Sequence, residues 1–184
     1  MDGSERGWSE AAGFLAALSN EDRERFSRYA GLDLPTDEEG IARTLESYSV
    51  SNPSDTPPGL LATTGAQAGF AGEPEFAVRI GRAALELADT RQDRALAHVS
   101  LAQTHFQSRR EEEELALFER HCRAAVDEGH AGTFCYERLA TLYEYRGQLD
   151  EAERISRLAV EVLSEEDPRS VGKFEKRLRR LEEG

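Results

Sequence analysis

Between Thr133 and Val160 the chain reads TFCYERLATLYEYRGQLDEAERISRLAV, and this stretch narrows the possible folds more than any other. Tyr136, Leu139, Ala140 and Tyr143 recur at helical spacing, and Ala152 and Ala159 do so beyond Gly147. Gly147 supplies a turn conformation that a residue with a Cβ resists. Two helices joined by so short a turn pack side by side in opposite directions. Ala140, Ala152 and Ala159 let the two backbones approach closely, while Leu139, Tyr143 and Leu149 fill the space between them.

The order of these residues, from the aromatic Tyr136 through Leu139-Ala140, Tyr143 and Gly147 to Ala152 and Ala159, resembles one tetratricopeptide (TPR) repeat. Two positions depart from the family pattern: Ser156 replaces the aromatic usual in the second helix, and the closing proline is displaced to Pro168. A degenerate copy recurs from Leu101-Ala102, with a second helix over Leu115–Ala125, a short insertion near Ser108–Glu112, and Phe118 where a small residue is expected. An earlier copy places Gly65, Gly72, Ala77, Gly81 and Ala84 at signature positions, with Thr64 in place of leucine. Three stacked units are about the minimum that buries a continuous core. The resemblance covers residues 58–166. It implies an all-α, right-handed array of helical hairpins.

The flanks complete this expectation. Val171, Phe174, Leu178 and Leu181 recur at helical spacing, which predicts a capping helix over residues 169–182. Its outer face would carry Lys173, Lys176, Arg177, Arg179 and Arg180, either as a solvated cap or as a basic docking patch. Residues 1–57 lack the signature and form a separate N-terminal helical segment packing on an array of residues 58–184. Trp8, Ala11, Phe14, Leu15 and Leu18 make one apolar stripe. A second helix is expected from Ser19 or Asn20 to Gly31, carrying Phe26 and Tyr29 inward. Thr36 with Glu39 resembles a capping box for a third, with Ile41, Leu45 and Tyr48 on one side. Ser51–Pro58 reads as a linker.

Composition excludes several function classes. The formal net charge is −13, which argues against nonspecific nucleic-acid binding, since phosphate contacts need cationic surface, and disfavours anionic membranes. No apolar run approaches the ~20 residues of a spanning helix, and Met1–Gly7 shows no leader pattern. A cytoplasmic protein is expected, with no nucleic-acid or membrane partner.

Motifs for catalysis are missing: there is no phosphate-binding G-x-x-x-x-G-K-[ST], no G-x-S-x-G elbow and no H-E-x-x-H. Cys122 and Cys135, with His121 and His130, match no common zinc spacing, and adjacent His121 and Cys122 point about 100° apart on a helix. Cys122 reads as a small core residue. His98 and His105 share one helix face without an acidic residue at matching spacing, and Glu111–Glu114 splay round a helix start. No cofactor or metal is expected.

The resemblance directs the search for function to the concave surface. The family's groove positions fall on Ala62, Ala66 and Phe70, on Val99, Gln103, Phe106 and Gln107, and on Phe134, Glu137, Thr141, Glu144 and Tyr145. They do not form the Lys, Arg and Asn clamp of chaperone-binding members. The groove would be apolar and aromatic at one end and acidic at the other. It suits an amphipathic or basic peptide, or the chain's own N-terminal helices. The leading expectation is therefore a non-catalytic adaptor that binds another protein or peptide, or a second copy of itself, through Phe70, Val99, Gln103, Phe106, Glu137, Thr141, Glu144 and Tyr145. The alternative is a ligand-sensing regulatory subunit with a small molecule in the groove. An enzyme built on helices is the third.

Overall fold

A computed structural model describes residues 3–183. It contains ten helices and, among the described residues, no strand. The helices are α1 (Gly3–Ala17), α2 (Asn20–Ala30), α3 (Glu38–Ser51), α4 (Pro57–Phe70), α5 (Pro74–Glu86), α6 (Arg91–Gln107), α7 (Glu112–Asp127), α8 (Thr133–Tyr145), α9 (Leu149–Glu166) and α10 (Pro168–Glu183). Among the described residues no helix is long and apolar enough to cross a membrane.

Local chemistry explains most of the boundaries. Ser19, Thr56 and Thr90 accept hydrogen bonds from the backbone N–H groups of Asp22, Gly59 and Asp93, which α2, α4 and α6 would otherwise leave unpaired. The turns after α4 and α8 share one construction. Gly72 and Gly147 have φ of 86° and 70°, and the next N–H reaches back to Ala68 and Tyr143. The α6–α7 connection has no such glycine and uses Ser108–Glu111 instead, the place where the sequence suggested an insertion. Two boundaries differ from the sequence reading. Asp37 rather than Thr36 caps α3, because its carboxylate accepts from Gly40 N at 2.7 Å. Helix α3 also runs through Ser51, so the linker starts at Asn52.

Each consecutive pair from α4 to α10 packs together, and α4 additionally packs along α6. Glycines make that last contact possible. A Cβ on Gly65 would sit 3.2 Å from Ser100 Oγ, and one on Gly69 would sit 2.7 Å from Thr104 Oγ1. Gly65 lies against Ser100 and Gly69 against Thr104, the same offset at both, so α4 and α6 run parallel.

Two cores result. Leu15, Phe26, Ile41 and Leu45 of the first three helices join Leu61, Phe76 and Ile80 of α4 and α5 in one. Phe118, Cys122, Tyr136, Leu139, Tyr143, Ile155, Leu163 and Phe174 form the other. Helix α6 serves both, with Ala97 in the first and Val99 and Ala102 in the second. Ala140, Ala152 and Ala159 are fully buried, and Ser156 satisfies its hydroxyl on the Ala152 carbonyl at 2.7 Å. That bond explains how a serine stands in an otherwise apolar interface.

Arg23 ties the N-terminal helices together. It is 7% exposed and donates to the carbonyl oxygens of Leu15, Ala16, Leu18 and Thr36 at 2.9–3.3 Å. These include carbonyls that the end of α1 leaves unpaired. One guanidinium thus joins α1, α2 and the entry to α3.

Candidate functional site

The acidic end of the expected groove is occupied by the chain itself. Lys173 pairs with Glu137 at 2.6 Å, Arg177 donates to Thr141 at 2.9 Å and pairs with Glu144 at 3.2 Å, and Arg180 pairs with Glu144. The hydrogen-bonded partners Lys173–Glu137, Arg177–Thr141 and Arg180–Glu144 are each 36 residues apart, so α8 and α10 are parallel. The hydrogen bond from Lys173 lowers the Glu137 carboxyl below its ordinary range. An exposed ion pair contributes only about 0.2–1 kcal/mol, whereas burying a residue such as Phe174 contributes about 1.5–3 kcal/mol. Phe174 therefore anchors α10 and the ion pairs set its register. This corrects the expected outer face: Lys173, Arg177 and Arg180 turn toward α8, because Phe174 needs the adjoining side of α10 in the core.

The aromatic end divides. Phe106 is half-buried, with the guanidinium carbons of Arg109 and Arg138 at 4.3 and 4.8 Å from its ring centre and the rings of Phe118 and Phe134 at 5.1 and 5.9 Å. Val99 belongs to the second core and Gln103 is half-buried. Phe70 and Tyr145, the last residues of α4 and α8, remain 64% and 90% exposed. The N-terminal segment does not cover them. Trp8 packs edge-on against Tyr48 at 5.9 Å and belongs to the first core.

The hairpin of α6 and α7 brings together a cluster that sequence spacing did not reveal. His98 Nδ1 and His121 Nδ1 lie 3.0 Å apart, and His105 Nδ1 lies 2.8 Å from Glu114 Oε2. The rings of His105 and His121 stack at 5.6 Å with 2° between planes. Where two imidazole nitrogens meet, one donates and the other accepts, so two imidazolium ions cannot keep this contact. Burial, then the neighbouring His98 and His105 and the cations Arg120 and Arg82, push His121 down to about 4. Burial also lowers His98, with Glu128 opposing. The missed signal was register. His98 and His105 are spaced like Glu114 and His121, and an antiparallel hairpin pairs the first with the last.

These side chains do not converge on a metal position. Among the described residues no three His, Cys, Asp or Glu side chains could hold an ion. His121 points to His98, whereas Cys122 lies in the second core beside Cys135. Burial raises the Cys122 thiol, which leaves it a protonated, unreactive core residue.

A cleft of about 500 Å³ opens where α2, α3, α4 and the start of α6 meet. Tyr29, Tyr48, Asp55, Gln67 and Asp93 are among the side chains lining it. Asp93 joins two helix starts by accepting from Thr56 at 2.6 Å and from Thr90 at 2.7 Å. Tyr48 donates to Asp55, and burial followed by this bond pushes the phenol up to about 12.

No known protein family, curated protein or solved structure matches this chain.

Proposed function

We propose that the protein is a non-catalytic adaptor, built as a TPR-like, right-handed array of helical hairpins, that binds another protein through the C-terminal ends of its first helices. Three hairpins, α4–α5, α6–α7 and α8–α9, support the array. So do the parallel courses of α4 with α6 and of α8 with α10, which are what stacked equivalent helices produce. In this reading residues 1–57 pack on the array, and α10 takes the place of a further first helix and caps it.

The observation that carries the binding role is the exposure of Phe70 and Tyr145. Exposed Leu149 stands across the Gly147 turn from Tyr145. Large aromatic side chains cost solvation when bare and supply much of the affinity at protein interfaces. Glu137, Thr141 and Glu144 act as the seat of α10, so the partner contacts fall on Phe70 and Tyr145, with Phe106 behind its arginine cover. A cytoplasmic setting belongs to the same reading, supported by two buried cysteines that stay unpaired.

The test is affinity capture with the Phe70→Glu/Tyr145→Glu variant beside the wild type. Both changes lie at exposed positions, so circular dichroism and unfolding should be unaltered. Loss of the captured protein is expected. Undiminished capture by the folded variant overturns this site.

A further inference from the structure

The cleft between the N-terminal helices and the array has the size and chemistry of a small-molecule site. Its volume of about 500 Å³ lies within the range of ligand pockets, roughly 300–1,000 Å³. Its walls come from α2, α3, α4 and α6 and from the Asn52–Thr56 connection, so any occupant would touch both the N-terminal segment and the array.

Charge selects the class of occupant. Asp55 and Asp93 line the cleft, while among the described residues no Lys, Arg or His does. Asp93 is 5% exposed, and two neutral hydroxyls and its place in the first turn of α6 satisfy it. Asp55 differs. One of its oxygens accepts from Tyr48, and the other has no hydrogen-bond partner among the described residues. An anion would meet two carboxylates and no donor cation, at a cost the remaining amide and hydroxyl groups do not offset.

The aromatic groups point the same way. Tyr29 donates its hydroxyl to Glu73 at 2.8 Å and Tyr48 donates to Asp55, so both phenols lean on carboxylates and their ring faces gain negative character. Such faces attract ammonium groups. Arg28 already rests 6.0 Å from the Tyr29 ring centre and, with Arg25, pairs with Glu73, so among the described residues Tyr48 beside Asp55 is the ring left without a cation.

We propose that this cleft binds a small organic cation of the primary-amine class, with Asp55 as its counter-ion and the Tyr29 and Tyr48 rings as its walls. The site is independent of the exposed aromatic ends assigned to protein binding. Gln67, neutral and exposed on the cleft wall of α4, is a position where a charge can be added without disturbing the core.

Three four-carbon probes of different charge test this: putrescine, the neutral 1,4-butanediol and the dianion succinate. Each is titrated calorimetrically at physiological salt into the full chain. Fluorescence of Trp8, the only tryptophan and an edge neighbour of Tyr48, gives a second readout. Putrescine should bind saturably at one site, with the diol and succinate at least tenfold weaker. Asp55→Asn should weaken putrescine at least tenfold, Gln67→Glu should tighten it severalfold, and Glu161→Gln, which removes one charge on α9, should leave it unchanged. Three results overturn the proposal: putrescine without saturation, succinate or the diol binding as tightly, or Asp55→Asn behaving like Glu161→Gln. The last would reduce the effect to general attraction by an acidic protein.

Discussion

Gly65→Ala and Gly13→Ala make the same chemical change in two helices and should move stability in opposite directions. In a helix interior, alanine is favoured over glycine by about 1 kcal/mol. At Gly13, inside α1, a new Cβ meets nothing within 4 Å, so that gain of about 0.5–1 kcal/mol should be realised. At Gly65 the methyl would stand 3.2 Å from the Ala77 carbonyl oxygen, 3.2 Å from Ser100 Oγ and 3.3 Å from Gly81 N. Two of these are backbone atoms of α5, so relief requires α4 and α5 to separate. Overpacking of a tight contact costs about 1–3 kcal/mol. Set against the propensity gain, the net loss should be about 1 kcal/mol. Urea unfolding measures both, with thermal midpoints moving roughly 2–4 °C per kcal/mol for a chain of this size. If Gly65→Ala is stabilised as much as Gly13→Ala, the close three-way junction of α4, α5 and α6 is wrong.

Two further outcomes follow from buried polar groups. Arg23→Met keeps the stem but removes the donors to four carbonyl oxygens, so it should destabilise by about 2–4 kcal/mol, read by urea unfolding; a loss under about 0.5 kcal/mol would contradict the clamp. His121 has a folded pKa of about 4 against an ordinary 6.5. Stability is therefore full above pH 6.5 and falls as pH drops toward 4, while the unfolded chain takes up the proton first. After allowance for partial solvent access the loss should be about 1–2 kcal/mol. The difference between the pH–stability curves of wild type and His121→Gln separates it from Glu137, whose lowered carboxyl loses its contribution only as pH falls below the ordinary 4.5, at the foot of that window. Parallel curves between pH 6.5 and 4 would refute the assignment.

Much of the helix plan was legible because short-range chemistry decides it. Gly147, Gly72 and Gly31 close helices where the sequence placed turns, Ser19 opens α2, and Ala140, Ala152 and Ala159 occupy buried contacts. The cap of α3 was misread by one residue because Thr36 and Asp37 are both competent acceptors and only the backbone course selects between them. The candidate site was less legible. Charge counted along α10 alone put Lys173, Arg177 and Arg180 on a free outer face; its relation to α8 turns them onto Glu137, Thr141 and Glu144. Spacing within α6 alone left His98 and His105 without partners, and the antiparallel α7 supplies His121 and Glu114. The cleft beside Asp55 depends on four elements distant in sequence, and no local pattern encodes it.

The most direct test of the adaptor account is site-specific photocrosslinking in cells of the native organism. A photoreactive residue is placed at position 70, at position 145, or, as a control, at exposed position 161 of α9. The account predicts one discrete heterologous or homologous adduct shared by positions 70 and 145 and absent at 161. Equal labelling at all three positions, or no adduct at 70 and 145, would contradict it.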